Sequence, residues 1–245
     1  MKLTILGTAP GKSLLGNSHT SYLIQDDNSL FLIDCGEGTT QKILEKNLSK
    51  DELDMIIISH LHPDHLSGLF ILLQTLYLNK RKKDLFLFLP ESVDQITSFM
   101  EVLYIFKDRF GYKIITQLYD ENSLAEIRVF PFNNSHLIGY KNIVDKYDLP
   151  NKLLSYSFVI KGKNKSLLLS SDIRSAEDIQ AHAKQCEIMI LDGIHPSYQG
   201  VKELIEQSNT EVYITHGDFK ELQLKYADIL SDKVKVAKEN EEIIF

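Results

Sequence analysis

The feature that most constrains the fold of this chain is a short apolar run followed at once by a cluster of histidines. Residues 55–59 read MIIIS, which is typical of a strand buried on both faces, and residues 60–65 read HLHPDH. Because side chains alternate along an extended segment, His60 and His62 point to the same side and can bind one metal ion together. The proline at position 63 then turns the chain, so that the next two ligand types, an aspartate and a histidine, reach a neighbouring point. One strand end can therefore begin two adjacent metal sites.

Three further candidate ligands follow apolar strands elsewhere in the chain. His136 follows EIRVFPF and a polar turn, Asp172 follows LLLSS, and His216 follows VYIT. In open α/β sheets, functional groups collect at the carboxyl ends of the strands. Taken singly, the three read equally well as a loop residue, a helix N-cap and a turn residue. Taken with residues 60–65, they complete a set of five imidazoles and two carboxylates, enough for two metal ions, a bridging carboxylate and a position for water.

The rest of the chain alternates short apolar strands with amphipathic helices. A turn at Asp27-Asn28 joins two early strands, and a second hairpin turn is predicted at residues 162–164. Hairpins at the front with strand–helix alternation behind indicate an α/β fold of mixed sheets covered by helices, although the order of elements alone also allows a doubly wound sheet. No linker divides the sequence, so we expect a single domain over residues 1–245.

Composition narrows the class of protein and its partners. The chain is 43% hydrophobic and 25% charged, which is ordinary for a globular protein. Its net charge of −7 argues against a protein that wraps nucleic acid. The apolar runs fall far short of the ~20 residues that span a bilayer, and the start of the chain lacks the apolar core of a signal peptide. We therefore expect a cytoplasmic protein with no membrane segment, in which Cys35 and Cys186 are reduced and buried.

The histidine-rich segment and its downstream partners resemble a known family of metal-dependent enzymes. Residues 60–68 (HLHPDHLSG), with His136, Asp172 and His216, resemble the metallo-β-lactamase-fold hydrolases. Within them the likeness is greatest to ribonuclease Z and its phosphodiesterase relatives. Four shorter segments carry that likeness, namely residues 6–8 (LGT), 34–39 (DCGEGT), 65–69 (HLSGL) and 171–174 (SDIR). The resemblance covers nearly the whole chain and implies an αββα four-layer sandwich, two mixed β-sheets flanked by helices, with the metals at one edge.

The resemblance also implies a role for each candidate residue. It assigns His60, His62 and His136 to one ion and Asp64, His65 and His216 to the other, with Asp172 bridging. Two divalent ions are expected, in the first place zinc, with manganese or iron(II) as alternatives. Asp34 would orient the ligating histidines from behind, and Gly36 and Gly38 would serve a tight turn.

The activity implied is that of a dinuclear metal-dependent hydrolase, first of all a phosphodiesterase that uses a metal-bridging hydroxide. Asp64 and Asp172 would supply the negative charge that holds two cations together. The expected substrate is a small phosphodiester or an RNA end. Dimers are common in the group that the chain resembles, so the resemblance leaves a homodimer open. Hydrolysis of a carboxyl ester, thioester or lactone at the same centre is the alternative. A diiron redox site is disfavoured because such sites favour glutamate where this chain has His62, and a non-enzymatic metal-binding role stays open.

The sequence departs from the ribonuclease Z pattern at three points. Members that process transfer RNA carry a long Gly/Pro-rich arm, often between the equivalents of His136 and Asp172, and this interval has no such composition here. Asp192 stands where the family has a histidine, and His195 is the candidate proton donor in its place. The chain is also acidic, and its one basic run, residues 80–83, is expected to be the solvated end of a helix and not an RNA contact.

Overall fold

The computed structural model of the chain describes residues 1–245, with every side chain except that of Lys107. The strands are β1 (Lys2–Gly7), β2 (Ser21–Gln25), β3 (Leu30–Ile33), β4 (Met55–Ile57), β5 (Leu85–Leu89), β6 (Ile114–Leu118), β7 (Val129–Asn133), β8 (Tyr156–Lys161), β9 (Ser166–Leu169), β10 (Ile188–Asp192), β11 (Glu211–Thr215), β12 (Val234–Val236) and β13 (Glu242–Ile244). The α-helices are α1 (Thr39–Glu45), α2 (Pro63–Leu66), α3 (Leu69–Leu78), α4 (Val93–Val102), α5 (Lys141–Tyr147), α6 (Gln180–Ala183), α7 (Tyr198–Gln207) and α8 (Phe219–Lys225). Short 3₁₀ helices cover Lys107–Arg109, Ala125–Ile127, His136–Tyr140 and Ala176–Asp178.

The first of two compact units consists of residues 2–119 and 239–242. Its strands form a mixed sheet in the order β1-β2-β3-β4-β5-β6. The β2–β3 hairpin is antiparallel and contains the predicted turn, whereas β3 to β6 are parallel. Because β3 and β4 pair with Ile33 opposite Ile57, the residues that follow them leave the sheet at the same edge. This pairing explains why Asp34 and Ser59 come together.

The second unit consists of Met1 and residues 120–238 and 243–245. Its mixed sheet has the order β12-β11-β10-β9-β8-β7. Strands β7 to β9 are antiparallel, and the predicted turn at residues 162–164 closes the β8–β9 hairpin. Strands β9 to β12 are parallel, so the chain segments after β9, β10 and β11 lie side by side at one edge. Asp172, Asp192 and His216 all belong to that edge.

Buried aliphatic side chains hold each sheet to its helices. In the first unit, Leu69, Leu72, Leu73 and Leu76 of α3 are all at most 5% exposed, as their helical spacing predicts. Burial of such a side chain contributes about 1.5–3 kcal/mol to the free energy of unfolding. In the second unit the corresponding cluster includes side chains of β9 to β12 and of α7 and α8. The strands that carry the candidate ligands are therefore fixed from behind by apolar packing.

The expectation for the basic run at residues 80–83 is wrong at Arg81. The predicted helix does end there, with Lys80 in the left-handed region at φ 60°. Arg81, however, is only 1% exposed, and its guanidinium donates to the carbonyl oxygens of Lys50, Leu53 and Asp84. The charged side chain can be buried because these carbonyls accept its hydrogen bonds. The local sequence does not reveal these acceptors, since two of them lie about 30 residues away.

The predicted fold class is confirmed: the chain has two mixed β-sheets with flanking helices. The prediction of a single domain stays a prediction. Both cysteines are buried free thiols, as expected, and burial raises the pKa of the Cys186 thiol to about 11. Within the part of the chain that the structure describes, every helix is too short or too polar to cross a lipid bilayer.

Candidate metal centre

In the first unit, one buried carboxylate organises the predicted histidines. Asp34 accepts hydrogen bonds from the Ser59 amide at 2.7 Å and the Ser59 hydroxyl at 2.9 Å. The same carboxylate lies 2.7 Å from Nδ1 of His65, and both residues are fully buried. The Ser59 hydroxyl in turn lies 3.0 Å from Nδ1 of His60. Because that hydroxyl gives its proton to Asp34, it accepts one from His60, so both imidazoles carry their proton on Nδ1.

This protonation pattern is the one that ligating histidines need. With the proton on Nδ1, the Nε2 lone pair of His60 and that of His65 can each point to a metal ion. The hydrogen bond to the Asp34 carboxylate also makes the His65 imidazole a stronger ligand. The rings of His60 and His62 have centroids 4.7 Å apart, and those of His60 and His65 are 4.1 Å apart. Oδ2 of Asp64 lies 3.5 Å from Nε2 of His65. The donor set of three imidazoles and a carboxylate fits zinc or a similar divalent ion.

The segment that holds these ligands begins a helix. His62 is the N-cap of α2 in an extended conformation, and Pro63 occupies the first helical turn, where its missing N–H is not needed. Asp64 and His65 therefore follow on a helical turn instead of continuing the strand. The proline turn expected from the sequence is present.

In the second unit, three imidazoles surround one oxygen of Asp172. Oδ2 of Asp172, which is 2% exposed, lies 3.1 Å from Nε2 of His216 and 3.7 Å from Nε2 of His136. Nδ1 of His195 lies 3.7 Å from the same oxygen. The rings of His195 and His136 have centroids 4.7 Å apart, and those of His195 and His216 are 5.3 Å apart. A carboxylate oxygen with imidazoles on several sides has the surroundings of a metal-bridging ligand.

Asp192 fixes His195 beside this carboxylate. Its Oδ1 accepts from the backbone amides of Ile194 at 3.0 Å and His195 at 3.2 Å. Its Oδ2 accepts from the amide of Ile173 at 3.1 Å and lies 2.8 Å from Nδ1 of His195. Asp172, Asp192 and His195 are close enough to be a cation site in their own right. Because both oxygens of Asp192 already accept two hydrogen bonds, we assign this residue to orienting His195 and not to binding an ion.

Backbone strain coincides with the candidate ligands. Asp34 has φ 61° and His216 has φ 63°, and Ser171, immediately before Asp172, has φ 50°. A non-glycine residue in the left-handed region costs about 1 kcal/mol or more and persists where the surrounding structure imposes it. The surrounding structure therefore holds these three strand ends in unusual backbone conformations, which fix the directions of the Asp34, Asp172 and His216 side chains.

The predicted site residues thus fall into two groups that the structure describes separately. His60, His62, Asp64, His65 and Asp34 lie together in the first unit, and His136, Asp172, His195 and His216 lie together in the second. Gly38, with φ 92°, is the N-cap of α1, in keeping with the predicted turn. Sequence reasoning missed the hydroxyl of Ser59, and it noted Asp192 only as a departure from the family. The position of Ser59, directly before the first histidine, was the one available signal.

Comparisons with known proteins identify the family and the fold of this chain. A family model described as "Anti-Pycsar protein Apyc1" matches residues 1–239. Ribonuclease Z of Streptococcus gordonii is 32% identical over 132 residues, which are 52% of this chain and 42% of that protein. Ribonuclease Z of Methanococcus aeolicus is 28% identical over 168 residues, which are 69% of this chain and 49% of that protein. The chain spans about half the length of the curated relatives it matches.

Solved structures show the same fold. The metallo-β-lactamase fold protein YhfI of Bacillus subtilis aligns with 99% of this chain and 98% of its own, at a TM-score of 0.71 and 17% identity. The short form of human tRNase Z aligns with 100% of this chain and 99% of its own, at a TM-score of 0.70 and 18% identity. The resemblance to ribonuclease Z and the predicted metallo-β-lactamase fold are therefore confirmed. Because the family model covers nearly all of the sequence, this chain belongs to the Anti-Pycsar protein Apyc1 family.

Proposed function

We propose that this chain is a metal-dependent phosphodiesterase with two divalent ions, zinc in the first place. One ion would be held by His60, His62, His136 and Asp172, and the other by Asp64, His65, His216 and Asp172. The observation that carries the proposal is the convergence of several imidazoles on Oδ2 of Asp172, which suits a carboxylate shared between two cations. Imidazole and carboxylate ligands favour zinc, with manganese and iron(II) as alternatives.

When bound, two such ions activate a water molecule for attack on phosphorus and neutralise charge on the phosphoryl oxygens. Asp64 and Asp172 contribute the negative charge that makes binding of two dications favourable. Asp34 keeps the Nδ1 proton on His65 and, through Ser59, on His60. These residues therefore hold the ligand geometry fixed while charge develops on the substrate.

His195 is the residue we propose to protonate the leaving alkoxide. Its Nδ1 is held by Oδ2 of Asp192, which leaves Nε2 as the atom that donates the proton. Its side chain is 35% exposed, in contrast to the buried Asp172 beside it. A partly exposed imidazole next to a metal-binding carboxylate can reach both substrate and solvent.

Among phosphodiesters, we propose a small molecule before an RNA end. Between His136 and Asp172 the chain forms a 3₁₀ helix, the seven-residue helix α5 and the β8–β9 hairpin, instead of the long Gly/Pro-rich arm of the transfer-RNA-processing enzymes. A homodimer, which the resemblance leaves open, and the cytoplasmic location expected from the sequence stay predictions.

The test combines metal analysis with a substrate panel. The purified chain is analysed for zinc, manganese and iron, and then assayed on a chromogenic phosphodiester, 3′,5′-cyclic nucleotides, an RNA with a 3′ extension and a chromogenic carboxyl ester. We expect about two metal ions per chain and turnover of a small phosphodiester. His62→Ala and Asp172→Ala should abolish turnover, while His182→Ala, which alters a histidine stacked on Phe132 outside both clusters, should not. A tenfold preference for the carboxyl ester would replace this proposal with the esterase alternative.

A further inference from the structure

Two side chains at the end of α8 bind one buried carbonyl oxygen next to the candidate proton donor. Lys225 Nζ donates to the carbonyl of Gly193 at 2.7 Å, and the Tyr226 hydroxyl donates to the same oxygen at 2.8 Å. Gly193 directly follows Asp192 at the end of β10 and lies two residues before His195. A single turn therefore carries both the residue that orients the imidazole and the carbonyl that α8 binds.

The same turn is fixed from its other sides. The amide of Gly193 donates to the carbonyl of Thr215 at 2.9 Å, and Thr215 immediately precedes His216. A Cβ atom at Gly193 would lie 2.7 Å from side-chain carbons of both Ile214 and Leu222, so only glycine fits this position. The close packing of the turn against β11 and α8 leaves the turn no freedom to shift without a change in those contacts.

We propose that Lys225 and Tyr226 are positioning residues, which hold the turn at residues 192–195 through the carbonyl of Gly193 and thereby place the His195 imidazole beside Asp172. This inference rests on the proposed phosphodiesterase function for its kinetic consequence, although the placement itself is a structural property of the second unit.

The chemistry of the two donors suits this role. Burial lowers the pKa of Lys225 below its usual value, an effect that the Asp192 carboxylate partly offsets, and the position of the ammonium group is set by its 2.7 Å hydrogen bond to the Gly193 carbonyl. Burial raises the pKa of Tyr226, which therefore remains a protonated donor at neutral pH. Removing either donor weakens the hold on a buried carbonyl, and even a shift of about 1 Å in a catalytic group can cost 100-fold in rate.

The test uses isosteric substitutions with matched controls on α7. Tyr226→Phe and Lys225→Met each remove one donor to Gly193. The controls Tyr198→Phe and Lys202→Met likewise remove one hydroxyl and one ammonium group. In the wild type these two groups donate to the carboxylate of Asp228 and not to Gly193. All variants are made in the full chain, and their folding is compared by thermal melting. The two readouts are the NMR signals of the His195 ring in the protein as purified, and kcat and KM on the preferred phosphodiester.

We expect Tyr226→Phe and Lys225→Met each to shift or broaden the His195 ring signals and to lower kcat about 5- to 20-fold, with KM changed less than twofold. Lys225→Arg should recover most of kcat, and the α7 variants should behave as the wild type. The inference is overturned if the His195 signals of folded Tyr226→Phe coincide with those of Tyr198→Phe. If the wild type hydrolyses no phosphodiester, the proposed function fails, and the NMR comparison alone still decides whether α8 positions His195.

Discussion

The carboxylate of Asp34 lies 2.7 Å from Nδ1 of His65, and both side chains are fully buried. The same carboxylate holds Ser59, which in turn contacts Nδ1 of His60. One side chain behind the histidines thus sets the protonation of two candidate ligands at once. Ligating histidines depend on such partners, whose loss commonly costs 10- to 100-fold in metal affinity.

We therefore expect Asp34→Asn to lower the affinity for zinc by about 10- to 100-fold. Asparagine tolerates the left-handed backbone at φ 61°, so the fold should persist. Its amide group can donate to Nδ1 of His65, which would move the imidazole proton to Nε2 and block coordination. Competition with a chromogenic chelator measures the affinity, with the exposed Asp232→Asn as control. An affinity within twofold of the wild type would contradict the role given to Asp34.

The candidate ligands at the ends of the strands could be predicted from the sequence because each of them follows an apolar run. Asp172 and His216 come after β9 and β11, whose side chains are almost fully buried, and His60 comes after β4 in the same way. Within each sheet, parallel strands with short apolar runs bring their carboxyl ends to one edge of that sheet, so local patterns sufficed to select these residues.

The partners of those residues could not be predicted, because they depend on contacts between distant segments. Nothing near Lys225 in the sequence indicates that it binds the carbonyl of Gly193, 32 positions away. The hydrophilic run around Arg81 likewise gives no sign that carbonyls from two separate segments converge on its guanidinium. Hydrogen bonds of this kind follow from tertiary packing and leave no periodic pattern in the chain.

Arg81 provides a prediction about stability that is independent of activity. Its guanidinium donates to three backbone carbonyls at 2.6–2.9 Å and lies 5.3 Å from the ring centroid of Tyr112. Arg81→Met replaces the aliphatic stem of arginine with an apolar side chain but removes the guanidinium. The three buried carbonyls are then left without their donor. We expect the free energy of unfolding to fall by about 3 kcal/mol in urea titrations. The exposed Lys80→Met should change it by less than about 0.5 kcal/mol; equal effects of the two variants would refute the assigned role of Arg81.

Asp51 is expected to make stability depend on pH. The backbone amides of Lys83 and Lys82 donate to its carboxylate and hold the pKa of Asp51 below the usual value. A pKa that is lower in the folded state adds stability above the unfolded-state value and loses it as the pH falls through the folded-state value. The stability difference between wild type and Asp51→Asn should therefore be constant near neutral pH and shrink below about pH 4. Urea titrations at several pH values measure it, and a difference that grew in acid would have the wrong sign.

Metal removal should lower the melting temperature, because ions that bind only the folded chain stabilise it by mass action. At a free zinc concentration 100 times Kd, one site adds about 2.7 kcal/mol. For a chain of this length each kcal/mol corresponds to about 2–4 °C, so we expect the chelator-treated protein to melt about 5–10 °C below the zinc-loaded protein. Asp172→Ala should abolish most of this increment, since Asp172 is the ligand we assign to both ions, whereas His182→Ala should keep it. If Asp172→Ala retained the full increment, the ions would have to bind elsewhere, and the shared-carboxylate arrangement would be excluded.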